Sequence, residues 1–342
     1  MSAAVLVGLG GCLPGRRITN DDLSAYLDTS DEWIRGRTGI GARHWVEQGT
    51  STSDLAVKAG ARALQAAGGC PVDAVVVATT TPDRLCPATA PEVAYRLGLS
   101  GVAAYDVAAV CTGFIYGLAS AVGMIAAGNA RRVLMIGAET YSTIIDPKDR
   151  TTAVIFADGA AAVVLRAGEP DEPGAIGPCD LGSDGGNSDL IEIPAGGSRQ
   201  RSAQTTTLPE DFYFRMRGKD VYRHAVDRMA GSALSALGRA GWRTADVDRF
   251  VPHQANNRIS VAVAERLGIG GERVVANIER VGNTAAASIP LLLAEANNDG
   301  RLQSGQRVLL AAFGGGLTWA ATTLTWPSVA ALTDAATPAV AA

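Results

Sequence analysis

The segment VAAYDVAAVCTGFIYGL, from Val102 to Leu118, decides the fold because it predicts a strand that runs directly into a helix. Its first part, as far as Val110, is a short apolar run bounded by Gly101, which is typical of a buried strand. From Ile115 to Gly128 the apolar residues recur at helical spacing. Cys111 is therefore predicted to lie where a strand turns into a helix.

This position gives Cys111 a chemical interpretation. The unpaired N–H groups and the positive dipole end of a helix lower the pKa of a nearby thiol and provide donors for an anion. A thiolate in that setting is a nucleophile near neutral pH. The alternative is a structural cysteine, because free cysteines are among the most buried residues.

The composition excludes several classes of protein. The chain has 342 residues, 47% hydrophobic and 19% charged, which is typical of a packed globular protein of one or two domains. A net charge of -4 does not favour nucleic-acid binding. The five cysteines are scattered, so neither a metal site nor a disulfide framework is expected, and a reducing cytoplasm fits best. We expect neither a signal peptide nor a membrane span from the sequence.

Predicted strands and helices alternate along the chain, and the two halves resemble each other. Residues 63–77 parallel residues 236–251, and residues 132–136 parallel residues 307–311. This pattern predicts a duplicated α/β unit built around mixed sheets. We place the first half at 1–170 and the second at 171–327.

Two further segments lack clear periodicity. Residues 183–209 are rich in Gly, Ser, Thr and Gln, and we expect an ordered excursion over the surface. Residues 328–342 are rich in Ala, Thr and Pro, and we expect a flexible tail.

Three polar positions fall just past a strand or in a glycine-marked loop, namely Cys111, His253 and Asn283. Ligands and catalytic groups gather at strand ends in open α/β folds, so these side chains could converge. A thiol nucleophile needs an imidazole and an amide to handle protons and charge. Taken singly, His253 could be a structural histidine and Asn283 a turn residue. Gly314-Gly315-Gly316 could be a tight connection or a source of backbone donors.

The ordered set of motifs resembles the β-ketoacyl-acyl carrier protein synthase III family of the thiolase superfamily. The motifs run from about residue 3 to 326 in the family's order. They are Asp28-Thr29-Ser30-Asp31-Glu32-Trp33-Ile34, Arg37-Thr38-Gly39-Ile40, Asp106-Val107-Ala108-Ala109 before Cys111, Asp149-Arg150, Phe156 with Asp158-Gly159, Pro252-His253-Gln254-Ala255-Asn256, Gly282-Asn283-Thr284 and Phe313-Gly314-Gly315-Gly316.

The resemblance implies a duplicated thiolase-like five-layer α/β/α/β/α fold with two mixed sheets, usually in a homodimer. It implies that Cys111 accepts the acyl group of an acyl-CoA primer. His253 and Asn283 then bind the thioester carbonyl of malonyl-acyl carrier protein while it loses CO2, and a 3-oxoacyl-acyl carrier protein leaves. The N–H groups of Cys111 and Gly315 form the oxyanion hole, and neither a metal nor a redox cofactor is needed.

The resemblance also implies where the substrates bind. Trp33 and Arg37 surround the adenine of CoA with Arg150 nearby, and Asn256 binds the pantetheine arm. Trp33 could instead be a core residue, and Arg37 could pair with an acidic neighbour. The surface for the acidic carrier protein would include three arginines on two helices, although Glu265 interrupts the charge; they are Arg223, Arg258 and Arg266.

The acyl pocket carries one departure from the family. We assign Cys86, Phe156 and Phe313 to this pocket, and Cys86 stands where the family often has an aromatic residue that closes the partner's pocket. A thiol is smaller than a phenyl ring, so we hypothesise a deeper pocket for a primer longer or more branched than acetyl. Cys86 could also be a packing residue in a rebuilt loop.

Two other functions of this fold remain open. One is an acyltransferase that moves an acyl group from Cys111 to an alcohol or amine, which the retained His253 and Asn283 disfavour. The other is a non-catalytic partner subunit, which would be expected to lose the nucleophile. An NAD-binding enzyme is disfavoured because Gly8-Leu9-Gly10 lacks the third glycine and no helix follows it.

Overall fold

The computed structural model describes residues 2–203 and 206–334. The strands, in chain order, are β1 Ala3–Cys12, β2 Arg16–Thr19, β3 Ala42–Trp45, β4 Ala74–Ala78, β5 Ala103–Val107, β6 Arg132–Thr140, β7 Asp158–Gly168, β8 Asp180–Ser183, β9 Ile191–Glu192, β10 Arg215–Met216, β11 Arg249–Pro252, β12 Arg307–Gly314, β13 Thr318–Thr325 and β14 Ala331–Leu332. The helices are α1 Asn20–Ser24, α2 Asp31–Thr38, α3 Thr52–Ala66, α4 Ala90–Arg96, α5 Gly113–Ala126, α6 Arg150–Ala153, α7 Ser198–Ala203, α8 Gly218–Arg239, α9 Asn257–Leu267, α10 Ile278–Val281 and α11 Ser288–Asn298.

Two mixed sheets form the centre of the fold. The first has the order β14-β1-β7-β6-β4-β5, and the second has the order β11-β12-β13-β8. In the first sheet β7 runs antiparallel to both of its neighbours, β1 and β6, and β4 is parallel to β6. In the second sheet β13 likewise runs antiparallel to both of its neighbours, β8 and β12, and β11 is parallel to β12. The predicted duplication is therefore confirmed in strand order and direction.

Alternating side chains on the strands divide the core into layers. On β4, Val75 and Val77 pack against α3 and α4, whereas Val76 faces the opposite side. On β12, Leu309 packs against α8 and α9, whereas Leu310 faces the middle. Because α5 and α11 fill the space between the sheets, the layers are helices, sheet, helices, sheet, helices. The expected five-layer α/β/α/β/α arrangement is confirmed.

The same polar contact ties a strand to its neighbour in both halves. Asp73 accepts hydrogen bonds from the backbone N–H of Arg132, at 2.8 Å, just before β4. Asp248 accepts one from the backbone N–H of Arg307, at 2.7 Å, just before β11. This equivalence is local evidence that the two halves repeat one unit.

Two sequence-based expectations need correction. The segment 102–110 was expected to be a buried strand, but β5 is the edge of its sheet and its residues are only partly buried. The reason is that, within the described part of the chain, β5 pairs with one strand, β4, so its other edge stays open. The tail expected from residue 328 instead returns to the first sheet, where Ala331 pairs with Leu9. The remainder of the segment expected to form a flexible tail, residues 335–342, lies outside the described residues.

The segment predicted as an ordered excursion, 183–209, contains short elements. They are a 3-10 helix at Gly185–Leu190, then β9 and α7. β9 pairs with β10, which follows the excursion and leads into α8. No helix in the described ranges has the length and apolar character needed to cross a bilayer.

Candidate active site

Cys111 lies between β5 and α5, as the sequence predicts. It sits in a 3-10 turn, Val110–Thr112, that precedes the first residue of α5. Val110 has a positive φ of 46°, which a β-branched residue adopts only under constraint from its surroundings. This sharp turn brings the thiol to the mouth of the helix while keeping its side chain buried.

The expectation that this position lowers the pKa of Cys111 is wrong. Burial raises the pKa of the thiol far above its ordinary value, and the nearby carboxyl of Glu139 raises it further. Desolvation of a thiolate in an apolar site outweighs the partial charge of the helix end. Burial therefore favours the neutral thiol of Cys111 over its thiolate.

Glu139 is a fully buried acid that the sequence analysis missed. Its carboxylate accepts hydrogen bonds from the Thr80 backbone N–H at 3.0 Å and from the Thr81 hydroxyl at 3.0 Å. Burial nevertheless raises its pKa from 4.5 to about 8. A glutamate at a strand end carries no periodic signal that it is buried, so sequence reasoning had no means of finding it.

His253 follows β11 and is 1% exposed. Its backbone N–H donates to the carbonyl of Ala311 at 2.8 Å, which ties it to the neighbouring strand β12. Burial lowers the pKa of the imidazole to about 3, so the ring is neutral at working pH. Its Nδ1 lies 2.6 Å from the Ser288 hydroxyl, whereas its buried Nε2 has no hydrogen-bond partner among the described residues.

Asn283 is held by its backbone and by its own side chain. Its N–H donates to the carbonyl of Ile155 at 3.0 Å, and its carbonyl accepts from Ala157 at 2.8 Å. Its side-chain Oδ1 accepts from the backbone N–H of Ala285 at 2.9 Å. Because the oxygen is occupied, the amide group presents its NH2 end as a donor.

These three side chains line one cavity. It has a volume of about 40 Å³ and is otherwise mostly apolar. Its lining comprises Val110, Cys111, Phe156, Ile191, Phe214, Met216, Val221, Ala225, Met229, His253, Ala255, Ile259, Asn283, Phe313 and Gly314. The convergence expected from the sequence is therefore present, with a thiol and two polar side chains in a water-poor space.

The glycine turn passes directly against the nucleophile. A Cβ atom on Gly314 would lie 2.8 Å from the backbone nitrogen of Cys111, so only glycine fits there. A Cβ on Gly315 would lie 3.2 Å from a methyl of Val110. This close approach brings the backbone of the turn beside Cys111, and the role of the Gly315 N–H in an oxyanion hole stays a prediction.

A larger groove of about 580 Å³ leads to this cavity. Five residues line both, namely Met216, Val221, Ala255, Ile259 and Asn283. Trp33 and Arg37 line the far part of the groove, and the guanidinium groups of Arg150 and Arg37 lie 5.1 and 5.8 Å from the centroid of the Trp33 ring. Asp31, one of the two acidic neighbours (with Glu32) that could have paired with Arg37, instead pairs with Arg35 at 2.9 Å. The cluster can stack a flat aromatic base.

The structure gives the other proposed binding residues different settings. Asn256 lines the groove, but it also caps α9 and donates to the carbonyl of Arg37 at 3.1 Å. Of the three arginines proposed for a carrier protein, Arg266 pairs with Asp227 at 2.6 Å and Arg223 lies 3.9 Å from Asp220. Arg258 lines the mouth of the groove.

Two of the three proposed acyl-pocket residues line the cavity, Phe156 and Phe313. Cys86 is exposed and does not line it within this chain. The idea that Cys86 deepens a partner's pocket stays a prediction. Sequence reasoning missed Phe214, whose ring centroid lies 4.9 Å from that of Phe156. Its segment has no periodicity, so the only available signal was its aromatic character.

Comparisons with known proteins agree with these observations. The profile of the family described as 3-oxoacyl-[acyl-carrier-protein (ACP)] synthase III matches residues 105–185. The profile described as its C-terminal part matches residues 237–326. The first match contains Cys111, and the second contains His253 and Asn283.

Individual proteins are similar over nearly the whole chain. The β-ketoacyl-[acyl-carrier-protein] synthase III 5 of Streptomyces coelicolor is 64% identical, over 96% of this chain and 99% of that protein. The crystal structure of 3-oxoacyl-(acyl carrier protein) synthase III from Pseudomonas aeruginosa has a TM-score of 0.90 at 49% identity, covering 96% of this chain and 99% of that one. The priming β-ketosynthase of a polyketide biosynthetic pathway has a TM-score of 0.88 at 33% identity, covering 95% of this chain and 96% of that one.

Proposed function

The chain belongs to the 3-oxoacyl-[acyl-carrier-protein] synthase III family, and we propose on that premise that it joins an acyl-CoA primer to malonyl-acyl carrier protein. The reaction initiates a fatty acid or polyketide chain and releases CO2. The observation that carries the proposal is the single apolar cavity in which Cys111, His253 and Asn283 meet.

In the first half-reaction Cys111 takes the acyl group. Its sulfur attacks the thioester carbonyl of the acyl-CoA, a new carbon–sulfur bond forms, and the bond to CoA breaks. The proton of the Cys111 thiol is transferred to the sulfur of the departing CoA, which leaves as a free thiol. This half-reaction therefore neither gains nor loses a proton. Since the turn at Gly314 lies against the Cys111 backbone, N–H groups there are suited to stabilise the oxyanion.

In the second half-reaction the malonyl thioester replaces CoA in the groove. Its carbon–carboxylate bond breaks, CO2 leaves, and the electron pair remains as an enolate. The NH2 group of Asn283, whose oxygen is held by Ala285, and the imidazole of His253 stabilise the enolate oxygen. The enolate carbon then attacks the carbonyl of the acyl–Cys111 thioester, the carbon–sulfur bond breaks, and the released thiolate takes up one proton from solvent to restore the Cys111 thiol. The prediction from the sequence that this carbon–carbon bond formation needs neither a metal nor a redox cofactor stays a prediction.

The groove supports binding of a pantetheine arm that ends in a nucleotide. It continues from the cavity to the half-exposed ring of Trp33, with Arg37 beside it. Stacking on an indole and a guanidinium suits the adenine of CoA. For the carrier protein, Arg258 at the groove mouth is the best supported of the three arginines, because Arg266 is already paired with Asp227.

We also propose a homodimer in which β5 meets β5 of a second copy. An edge strand with unpaired backbone groups invites such pairing. The helix α4, which packs against β5, carries Tyr95, whose large side chain is 76% exposed in the single chain. Light scattering on the purified protein tests this proposal, and a monomer at micromolar concentration would contradict it. The cytoplasmic location stays a prediction from the sequence.

The condensation is tested by following both half-reactions. Acetyl-CoA should add an acetyl mass to the wild type, and Cys111→Ala should gain none. Cys70→Ala, which removes a partly exposed thiol elsewhere, is the matched control. Malonyl-carrier protein should then release CO2 and give a 3-oxoacyl product. Acyl transfer to an alcohol or amine without CO2 release would point to the acyltransferase instead, and no acylation by acetyl-CoA or by longer and branched acyl-CoAs would indicate a non-catalytic subunit.

A further inference from the structure

We propose that Ser288 fixes the tautomer of His253, so that the ring carries its proton on Nε2 and presents it to the substrate. Ser288 thereby acts as a positioning residue for the decarboxylation step. The inference rests on the proposed function for its consequence in catalysis, but the tautomer itself is a property of the protein.

The first step concerns the hydroxyl of Ser288. This residue is the first of α11 and is fully buried. Its Oγ accepts a hydrogen bond from the backbone N–H of Gln254 at 3.3 Å. Its one other hydrogen-bond partner among the described residues is Nδ1 of His253, at 2.6 Å.

The second step assigns the proton between Ser288 and His253. A hydroxyl has one proton to donate, and Nδ1 is the acceptor the structure offers it. If Nδ1 carried a proton, the Ser288 hydroxyl would be a buried donor without an acceptor, which is costly. The hydroxyl therefore donates to Nδ1. A neutral imidazole with an unprotonated Nδ1 has its proton on Nε2.

The third step follows Nε2 into the cavity. Nε2 is buried and unpartnered among the described residues, and His253 lines the same cavity as Cys111 and Asn283. The Nε2–H group is therefore available to donate a hydrogen bond to an acceptor on the substrate. Together with the NH2 group of Asn283 it makes two neutral donors for one developing enolate oxygen. The opposite tautomer would make Nε2 an acceptor and a base for the Cys111 thiol.

The surroundings keep this arrangement in place. The side chain of Gln254 donates to the carbonyl of Pro252 at 2.8 Å and accepts from the backbone N–H groups of Asn277 and Ile278. This fixes the backbone between β11 and α9, and with it the N–H that points at Ser288. The position of Ser288 relative to the ring is thus set by two elements of the second half.

Nitrogen NMR of histidine-labelled protein tests the tautomer directly. The chain has three histidines, so His253 is assigned by its loss in His253→Gln. We expect Nδ1 at the chemical shift of an unprotonated ring nitrogen and a proton coupled to Nε2. A proton on Nδ1 would overturn the inference, whether or not the enzyme releases CO2. Wild-type protein that releases no CO2 from malonyl-carrier protein would instead contradict the proposed function.

Kinetics of the two half-reactions test the consequence. Ser288→Ala should slow CO2 release about tenfold at saturating malonyl-carrier protein without slowing the acetylation of Cys111. Ser288→Thr keeps the hydroxyl and should restore most of the rate. Ser260→Ala removes an equally buried hydroxyl on α9 and is the matched control. Equal losses in both half-reactions, or an unchanged rate of CO2 release in folded Ser288→Ala, would overturn the role of Ser288.

Discussion

Replacing Phe214 by alanine should widen the acyl cavity and shift the preference of the enzyme toward longer primers. The ring of Phe214 lines the cavity beside Cys111 and packs edge-on against Tyr141 and Phe156, with centroid distances of 5.4 and 4.9 Å. The cavity of about 40 Å³ has room for roughly three water-sized groups, which matches the three heavy atoms of an acetyl group. A longer chain needs the space that the ring occupies.

The size of the effect follows from the methylenes that the new space can bury. A large-to-small core substitution can leave a cavity of about 150 Å³, which holds a benzene molecule. Hexanoyl has four more methylenes than acetyl, and each contributes about 0.8 kcal/mol on burial, or about 3 kcal/mol together. The ratio of kcat/KM for hexanoyl-CoA to that for acetyl-CoA should therefore rise between about 10-fold and 200-fold. The upper figure requires complete burial.

The assay is a competition between hexanoyl-CoA and acetyl-CoA, read as acyl mass on Cys111. Phe212→Ala is the matched control, because that ring is 52% exposed and does not line the cavity. The substitution of Phe214 should destabilise the fold by about 3–5 kcal/mol, so circular dichroism has to show that the variant is folded. Phe214→Leu, with a smaller loss, replaces it if it is not. An unchanged ratio in a folded variant refutes the reasoning.

Two further predictions concern charge and the nucleotide. Because burial raises the pKa of Glu139 from 4.5 to about 8, its protonated form is favoured in the folded state, and the free energy of unfolding should fall as pH rises through that interval, by up to about 5 kcal/mol. In denaturant titrations, Glu139→Gln should flatten the pH dependence of the free energy of unfolding. Because the substitution removes a charge near Cys111, it should also speed the alkylation of that thiol by iodoacetamide above pH 8. A pH dependence of stability and of alkylation that is the same as in the wild type would contradict both expectations. Trp33→Ala should raise the KM for acetyl-CoA by about 5- to 150-fold through lost base stacking, yet leave the KM for acetyl-pantetheine unaffected. Equal losses with both substrates would show that Trp33 has a packing role instead.

The architecture could be predicted from sequence because it depends on apolar periodicity. Continuous apolar runs predict β4 and β12, which are covered on both faces, and the paired repeats predict two similar sheets. The burial of β5 was overestimated because an apolar strand looks the same in sequence whether it lies inside a sheet or at its edge. β14 was missed because a two-residue strand has no period to detect.

Site residues could be predicted where the residue type is unusual for its position in the sequence. Properties of the site that depend on residues distant in sequence, such as pKa values and side-chain contacts, could not be predicted. Cys111, His253 and Asn283 stood out as polar groups next to strands or glycines. The pKa of Cys111 was predicted with the wrong sign, because desolvation depends on how side chains distant in sequence cover the thiol. Ser288 carried no signal at all, since its contact with His253 spans 35 positions of the chain.

The duplication explains why the nucleophile and its polar partners come from different halves yet share one cavity. The helices α5 and α11 lie together in the middle layer, and a Cβ on Gly113 would lie 3.4 Å from the side chain of Ala286. Cys111 precedes the start of the first helix, and Asn283 precedes the start of the second. Each helix thus begins a few residues after a side chain that lines the cavity, and the positive end of a helix dipole favours negative charge nearby. A single α/β unit has one such helix, so the repeat is what brings a buried thiol from one half and an imidazole and an amide from the other half into one cavity.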